Sequence, residues 1–113
     1  MGATFKTVEA IGLALPGVVV GTSYGTPALK VGGKLLARLK EDGATLVLRV
    51  DPVNRDFLLR LEADIFFLTD HYRDYPWVLV RLPRIGRRRL REALEEGWRL
   101  VAPKRLRAAH DLA

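Results

Sequence analysis

The chain has no cysteine and only two histidines, His71 and His110, among its 113 residues. Without cysteine there is no disulfide, no thiolate nucleophile and no cysteine-based zinc site, and two histidines at unrelated spacing make no metal-binding pattern. No apolar run approaches the roughly 20 residues that a membrane span requires. The first fifteen residues also lack the basic-then-apolar layout of a signal peptide. These absences predict a cytoplasmic protein that holds no metal and no cofactor and does not engage a membrane. No repeat, low-complexity stretch or linker interrupts the sequence, so it reads as one domain over residues 1–113.

What is present is a globular balance, with 49% apolar and 28% charged residues, enough for one core without covalent staples. The net charge of +6 is unevenly spread. Residues 1–80 carry nine cations and nine anions and are neutral, whereas residues 81–107 carry ten Lys and Arg against three Glu. A neutral body with a basic C-terminal segment points toward a polyanionic partner.

Thr4 is placed to cap a helix whose stripe is Phe5, Val8, Ile11 and Leu15, stopped by Pro16-Gly17. A short β segment over residues 18–24 leads to the turn Gly25-Thr26-Pro27. Residues 28–31 and 34–40 then form a hairpin across Gly32-Gly33. After Glu41-Asp42-Gly43, residues 45–50 complete a three-stranded meander. Asp51-Pro52 opens a second helix, expected to turn Val53, Phe57, Leu58 and Leu61 inward and to stop near Glu62. Residues 65–68 and 77–82 read as two more strands around the loop 69–76. The last long helix, from about Arg87 to Leu100, puts Leu90, Leu94, Trp98 and Val101 on one face. Pro103 opens a short final helix through Arg107. The order α-β-β-β-α-β-β-α-α predicts an α+β fold: two layers, with a mostly antiparallel five-stranded sheet covered by helices.

Leu15-Pro16-Gly17, the run Thr22–Val31 (TSYGTPALKV), the loop-strand His71-Tyr72-Arg73-Asp74-Tyr75-Pro76-Trp77-Val78 and the ending Trp98–Leu106 together resemble the MmcQ/YjbR-like family. The resemblance covers nearly the whole chain in the same order. It implies a two-layer α+β domain similar to CyaY and to type III secretion chaperones. Members of that family are commonly labelled DNA-binding, with β-hairpins imagined as wings on the duplex, and the resemblance brings no catalytic signature.

Four features compete as the functional surface. Gly21-Thr22-Ser23-Tyr24-Gly25 matches G-x-S-x-G, but a nucleophile elbow needs a strand–turn–helix context and a large parallel sheet, so a glycine-punctuated turn is expected instead. The loop around His71, Tyr72, Tyr75 and Trp77 concentrates polar and aromatic groups that suit either ligand contact or packing. Catalysis there would need a pocket holding His71 with Asp70 or Asp74, and no third partner is evident, so no catalytic residues are assigned and enzymatic activity is not expected. Arg84, Arg87, Arg88 and Arg91, with Lys104 and Arg105, offer planar forks to phosphate oxygens, or else form a solvated face. Lys34, Leu36, Arg38 and Lys40 alternate onto one side of a strand preceded by Lys30, as a wing along a phosphate backbone requires. The combined expectation is a DNA-binding module with little sequence preference. Contact with four to six phosphates corresponds to a salt slope of roughly −4 to −5. The alternative is an adaptor for a protein or small ligand, as monomer or homodimer.

Overall fold

The computed structural model describes residues 2–112. Helix α1 (Phe5–Leu13) precedes four consecutive strands, β1 (Val18–Ser23), β2 (Thr26–Val31), β3 (Lys34–Leu39) and β4 (Thr45–Arg49). Helix α2 (Pro52–Leu61), the two-residue strand β5 (Phe66–Phe67) and β6 (Trp77–Arg81) follow, and helices α3 (Arg87–Val101) and α4 (Lys104–Leu112) close the chain. The strands form one antiparallel sheet in the order β1-β2-β3-β4-β6-β5.

The sheet therefore has six strands where five were expected. The segment after α1 is a full strand, paired with β2 from Val18↔Val31 to Ser23↔Thr26. The first two hairpins of this meander turn on two residues. Gly32 and Gly33 take φ of 57° and 79°, as a type I′ turn demands and as glycine permits at no steric cost. The β1–β2 turn repeats that geometry with Tyr24 and Gly25, at φ of 54° and 78°.

Helices α1 and α3 cover one sheet face. Val8 and Ile11 of α1 and Leu90, Leu94, Trp98 and Val101 of α3 pack on Leu29, Leu36, Leu46, Leu48, Val78 and Val80. The close approach is made possible by Gly97, where a Cβ would lie 2.7 Å from the Arg49 carbonyl oxygen. Trp98 is fully buried, and its indole N–H donates to Pro16 O at 2.9 Å. The opposite face carries a smaller cluster of Val47, Tyr72 and Leu79, with Phe67, Leu68 and Trp77 against it. It is otherwise open.

Other boundaries and faces differ from expectation for identifiable reasons. Helix α1 ends at Leu13, although Leu15 remains in the core. Strand β5 is only two residues long because Ile65 and Phe66 are drawn into a turn, both donating to Glu62 O. Helix α4 runs to Leu112, further than Arg107, and folds back along α3, where Arg99 meets Asp111 and Arg107 reaches the Arg99 carbonyl. In α2 only Leu58 of the expected inward set is buried. Val53, Phe57 and Leu61 form a real stripe, but it faces solvent, with Leu61 at 72% exposure. The helix instead presents Leu58 and Arg55 to the body, because Arg55 is needed by the loop after β5.

Candidate functional site

The open sheet face and the loop after β5 enclose a cleft of about 510 Å³. Its floor comes from Leu35 and Arg38 of β3 and Val47 of β4, and its rim from Tyr24, His71, Tyr72, Tyr75 and Trp77. All four residues of the sequence-identified loop thus reach one cavity, although 38 residues separate Leu35 from Arg73 at the loop's centre. The cleft lies within the size range of small-molecule sites, and its mixture of rings with a few polar groups is typical of them.

Arg38 reaches the cleft because β3 is irregular. Register shifts between Leu29 and Lys30, so that Leu29 pairs with Ala37 and Lys30 with Leu35, leaving Leu36 as an extra residue. Leu36 and Ala37 both enter the core, and Arg38 turns to the open face. This bulge overturns the expected alternation, since Leu36 is in the core and Lys34, paired with Val31 at the turn, does not share the face of Arg38. Arg38 is also buried, at 8% exposure, and lines the cleft. It donates to Thr26 Oγ1 at 3.1 Å, to Leu39 O at 3.3 Å and to Tyr72 Oη at 3.4 Å. Its only carboxylate neighbour among the described residues is the exposed Glu41, at a loose 3.6 Å.

Tyr24 stands 5.2 Å above the Arg38 guanidinium carbon and is 85% exposed. Among the described residues it is the only one other than glycine with positive φ, a conformation that costs an L-residue about 1–2 kcal/mol. The string Gly21–Gly25 therefore forms strand and hairpin turn, not a strand-to-helix elbow.

The loop is held by a residue that sequence reasoning passed over. Arg55 of α2 donates to the carbonyls of Tyr75 at 2.7 Å, Arg73 at 2.9 Å, Trp77 at 3.1 Å and Tyr72 at 3.4 Å. A guanidinium satisfying four carbonyls of an irregular segment replaces the ladder that a strand would supply. In sequence Arg55 lies away from the Val53–Phe57–Leu61 stripe, where an arginine reads as an ordinary solvent-facing residue. Within the loop, Asp70 pairs with Arg73, and the His71 ring meets Tyr72 edge-on at 4.7 Å. Lys40 lies over Tyr72, 5.5 Å from its centroid.

The basic segment lies elsewhere. Arg87, Arg88 and Arg91 line a groove of about 480 Å³ between α1, α3 and α4, on the helical side of the sheet. Arg84 is exposed in the 3₁₀ turn just before α3. Arg84, Arg87 and Arg91 have no carboxylate in ion-pair range among the described residues, and Arg88 has only Glu92 at 3.9 Å. Arg89 belongs to a different structure. It grips Glu62 with two hydrogen bonds of 2.9 and 3.0 Å, which raise its already high pKa, and it lies over Phe66. The first turn of α3 has Gly86 as its N-cap, with no side-chain acceptor for the free N–H groups.

Lys104 and Arg105 begin α4 at the far end of α3, roughly 20 Å from Arg88 at 1.5 Å per residue. Pro103, just before them, lies 4.0 Å from where a Cβ on Gly32 would stand, so the α4 start sits close to the β2–β3 turn that Lys34 follows. Lys30 projects on the open face, paired with Val19 and Leu35. The nine cations proposed for one polyanion therefore occupy three regions: the α3 start, the α4 start with Lys34, and the open face.

The family described as YjbR matches residues 13–100. The chain belongs to the YjbR family. It is also similar to uncharacterized proteins of Mycobacterium tuberculosis (Rv2570) and Mycobacterium bovis (Mb2600), each 45% identical over 49 residues. That stretch is 43% of this chain and 38% of the relatives, so the match spans well under half of their length. The fold is similar to that of Deinococcus radiodurans protein DR2400, a structure with a DUF419 domain, at a TM-score of 0.77 and 23% identity over 90% of this chain and 80% of that one. No helix among the described residues of this YjbR-family chain is long and apolar enough to cross a membrane.

Proposed function

We propose that this YjbR-family chain binds nucleic acid through phosphate contacts at the N-terminal end of α3, with DNA as the partner and little sequence preference. The observation that carries this reading is the exposed set Arg84, Arg87, Arg88 and Arg91, clustered where an uncapped helix presents free N–H groups. Cations at a helix N-terminus oppose the macrodipole, and an anion bound there relieves both the repulsion and the unsatisfied amides. Four phosphate contacts correspond to a salt slope of roughly −3 to −4 in log K against log[salt], shallower than nine cations on one surface would give.

The test is an anisotropy titration of labelled duplex DNA across a salt series. Changing Arg87, Arg88 and Arg91 to Ala should abolish most of the slope and weaken binding at low salt. Binding with an unchanged slope in that triple variant would remove α3 from the interface, and no binding by the wild type at low salt would end the nucleic-acid reading.

A further inference from the structure

The open-face cleft contains two features that packing alone does not account for. Arg38 is a buried cation whose only nearby carboxylate among the described residues, Glu41, is exposed and 3.6 Å away. Buried charges are ordinarily paired closely, because taking them out of water costs more than a loose contact returns. Three of its five N–H donors go to neutral oxygens, leaving Nε–H and one Nη2 proton without an acceptor among the described residues. Tyr24 is held in a strained conformation that Gly32 meets without strain in the neighbouring hairpin, yet its ring gains almost no burial. An unfavourable backbone that sets an exposed ring over a buried cation is the kind of local cost that persists where a ligand uses it.

We propose that this cleft binds a small aromatic anion, its planar ring lying against Tyr24, Tyr75 and Trp77 and its carboxylate or phosphate paired with Arg38. The exposed Tyr75 and half-buried Trp77 supply further ring surface. Offset or edge-on ring contacts together with a charge-assisted pair favour a flat anion over an aliphatic one. Glu41 occupies the position the ligand's anion would take, so it competes with the ligand.

Calorimetric titration with indole-3-acetate and with thymidine 5′-monophosphate tests this, neutral indole serving as control. Saturable binding of either anion supports the site, and which one binds tells an aromatic carboxylate from a nucleotide. Tyr24→Gly should weaken binding roughly three- to tenfold without lowering Tm, because glycine suits positive φ. Glu41→Gln should tighten it roughly two- to fivefold. The Arg87/Arg88/Arg91 triple variant should bind as the wild type does, which separates this site from the DNA surface. The proposal is overturned if neither anion binds at about 1 mM, if indole binds equally well, if Tyr24→Gly matches the wild type, or if Glu41→Gln weakens binding.

Discussion

Single side chains decide several features of this protein through their local bonds. Asp42 organises the β3–β4 turn by accepting from the N–H groups of Ala44 and Thr45, each at 2.9 Å, and from Thr45 Oγ1 at 2.7 Å. Those bonds hold its carboxyl below the ordinary value of 3.8, the Ala44 amide contributing most. A carboxylate whose folded pKa is depressed stabilises fully above the unfolded value and loses that contribution as pH falls through the folded one. Asp42→Ala should therefore cost about 1 kcal/mol at neutral pH. The difference from wild type should shrink as pH drops below about 4, measured by urea denaturation at successive pH values. Gly21 to Gly25 stands out in the sequence as a G-x-S-x-G string, but the strain at Tyr24 is invisible there. A tyrosine before a glycine is an unremarkable pair until the register Ser23↔Thr26 fixes a two-residue turn around it.

Among the elements, the helices were the easiest to find and the hardest to orient. The stripe of α3 was plain in sequence, and Leu90, Leu94, Trp98 and Val101 are all buried. Gly97 on the same face was silent, although it sets how closely α3 meets the sheet. Gly97→Ala should cost about 1–3 kcal/mol through overpacking against backbone, read as a lower urea midpoint with unchanged slope. Helix α2 shows the opposite case, a genuine apolar stripe that points away from the core. Leu61→Gln should change stability by less than about 0.5 kcal/mol, whereas Leu58→Ala should cost about 2–3 kcal/mol. Periodicity identifies an amphipathic helix but does not say which neighbour it meets. Here the inward side is fixed by Arg55 and its four carbonyl partners in the loop. Arg55→Lys loses the planar fork, so it should loosen residues 70–77 and cost about 2 kcal/mol. Faster amide exchange confined to that loop and the adjoining end of β6 would be the signature.

At the scale of the whole molecule, the fold separates charges that the sequence placed close together. The α3 arginines lie on the helical layer, and Lys30 and Arg38 lie on the other side of the sheet. In the proposed complex, a duplex docked at the start of α3 would face the helical layer, away from Lys30 and Arg38 on the other side of the sheet. Changing Lys104 and Arg105 to Ala should reduce the salt slope by less than about one unit, while the α3 triple variant removes most of it. An anisotropy titration of duplex DNA across the salt series reads both variants against the wild type.

The sequence by itself determined the antiparallel meander, the long amphipathic helix, the basic excess after residue 80 and the kinship with YjbR proteins. These follow from local rules: period, turn chemistry and charge along the chain. Only the tertiary structure decided the sixth strand's pairing, the bulge that sends Leu36 inward and Arg38 outward, and the outward face of α2. It also decided that the loop 69–76 closes over β3 and β4 to make a cleft. Each of these depends on contacts between residues far apart in sequence, as when Arg38 meets Tyr72 or Arg55 meets Trp77. A one-residue slip in register reverses which side chains face the core, and nothing in the neighbouring residues records that choice.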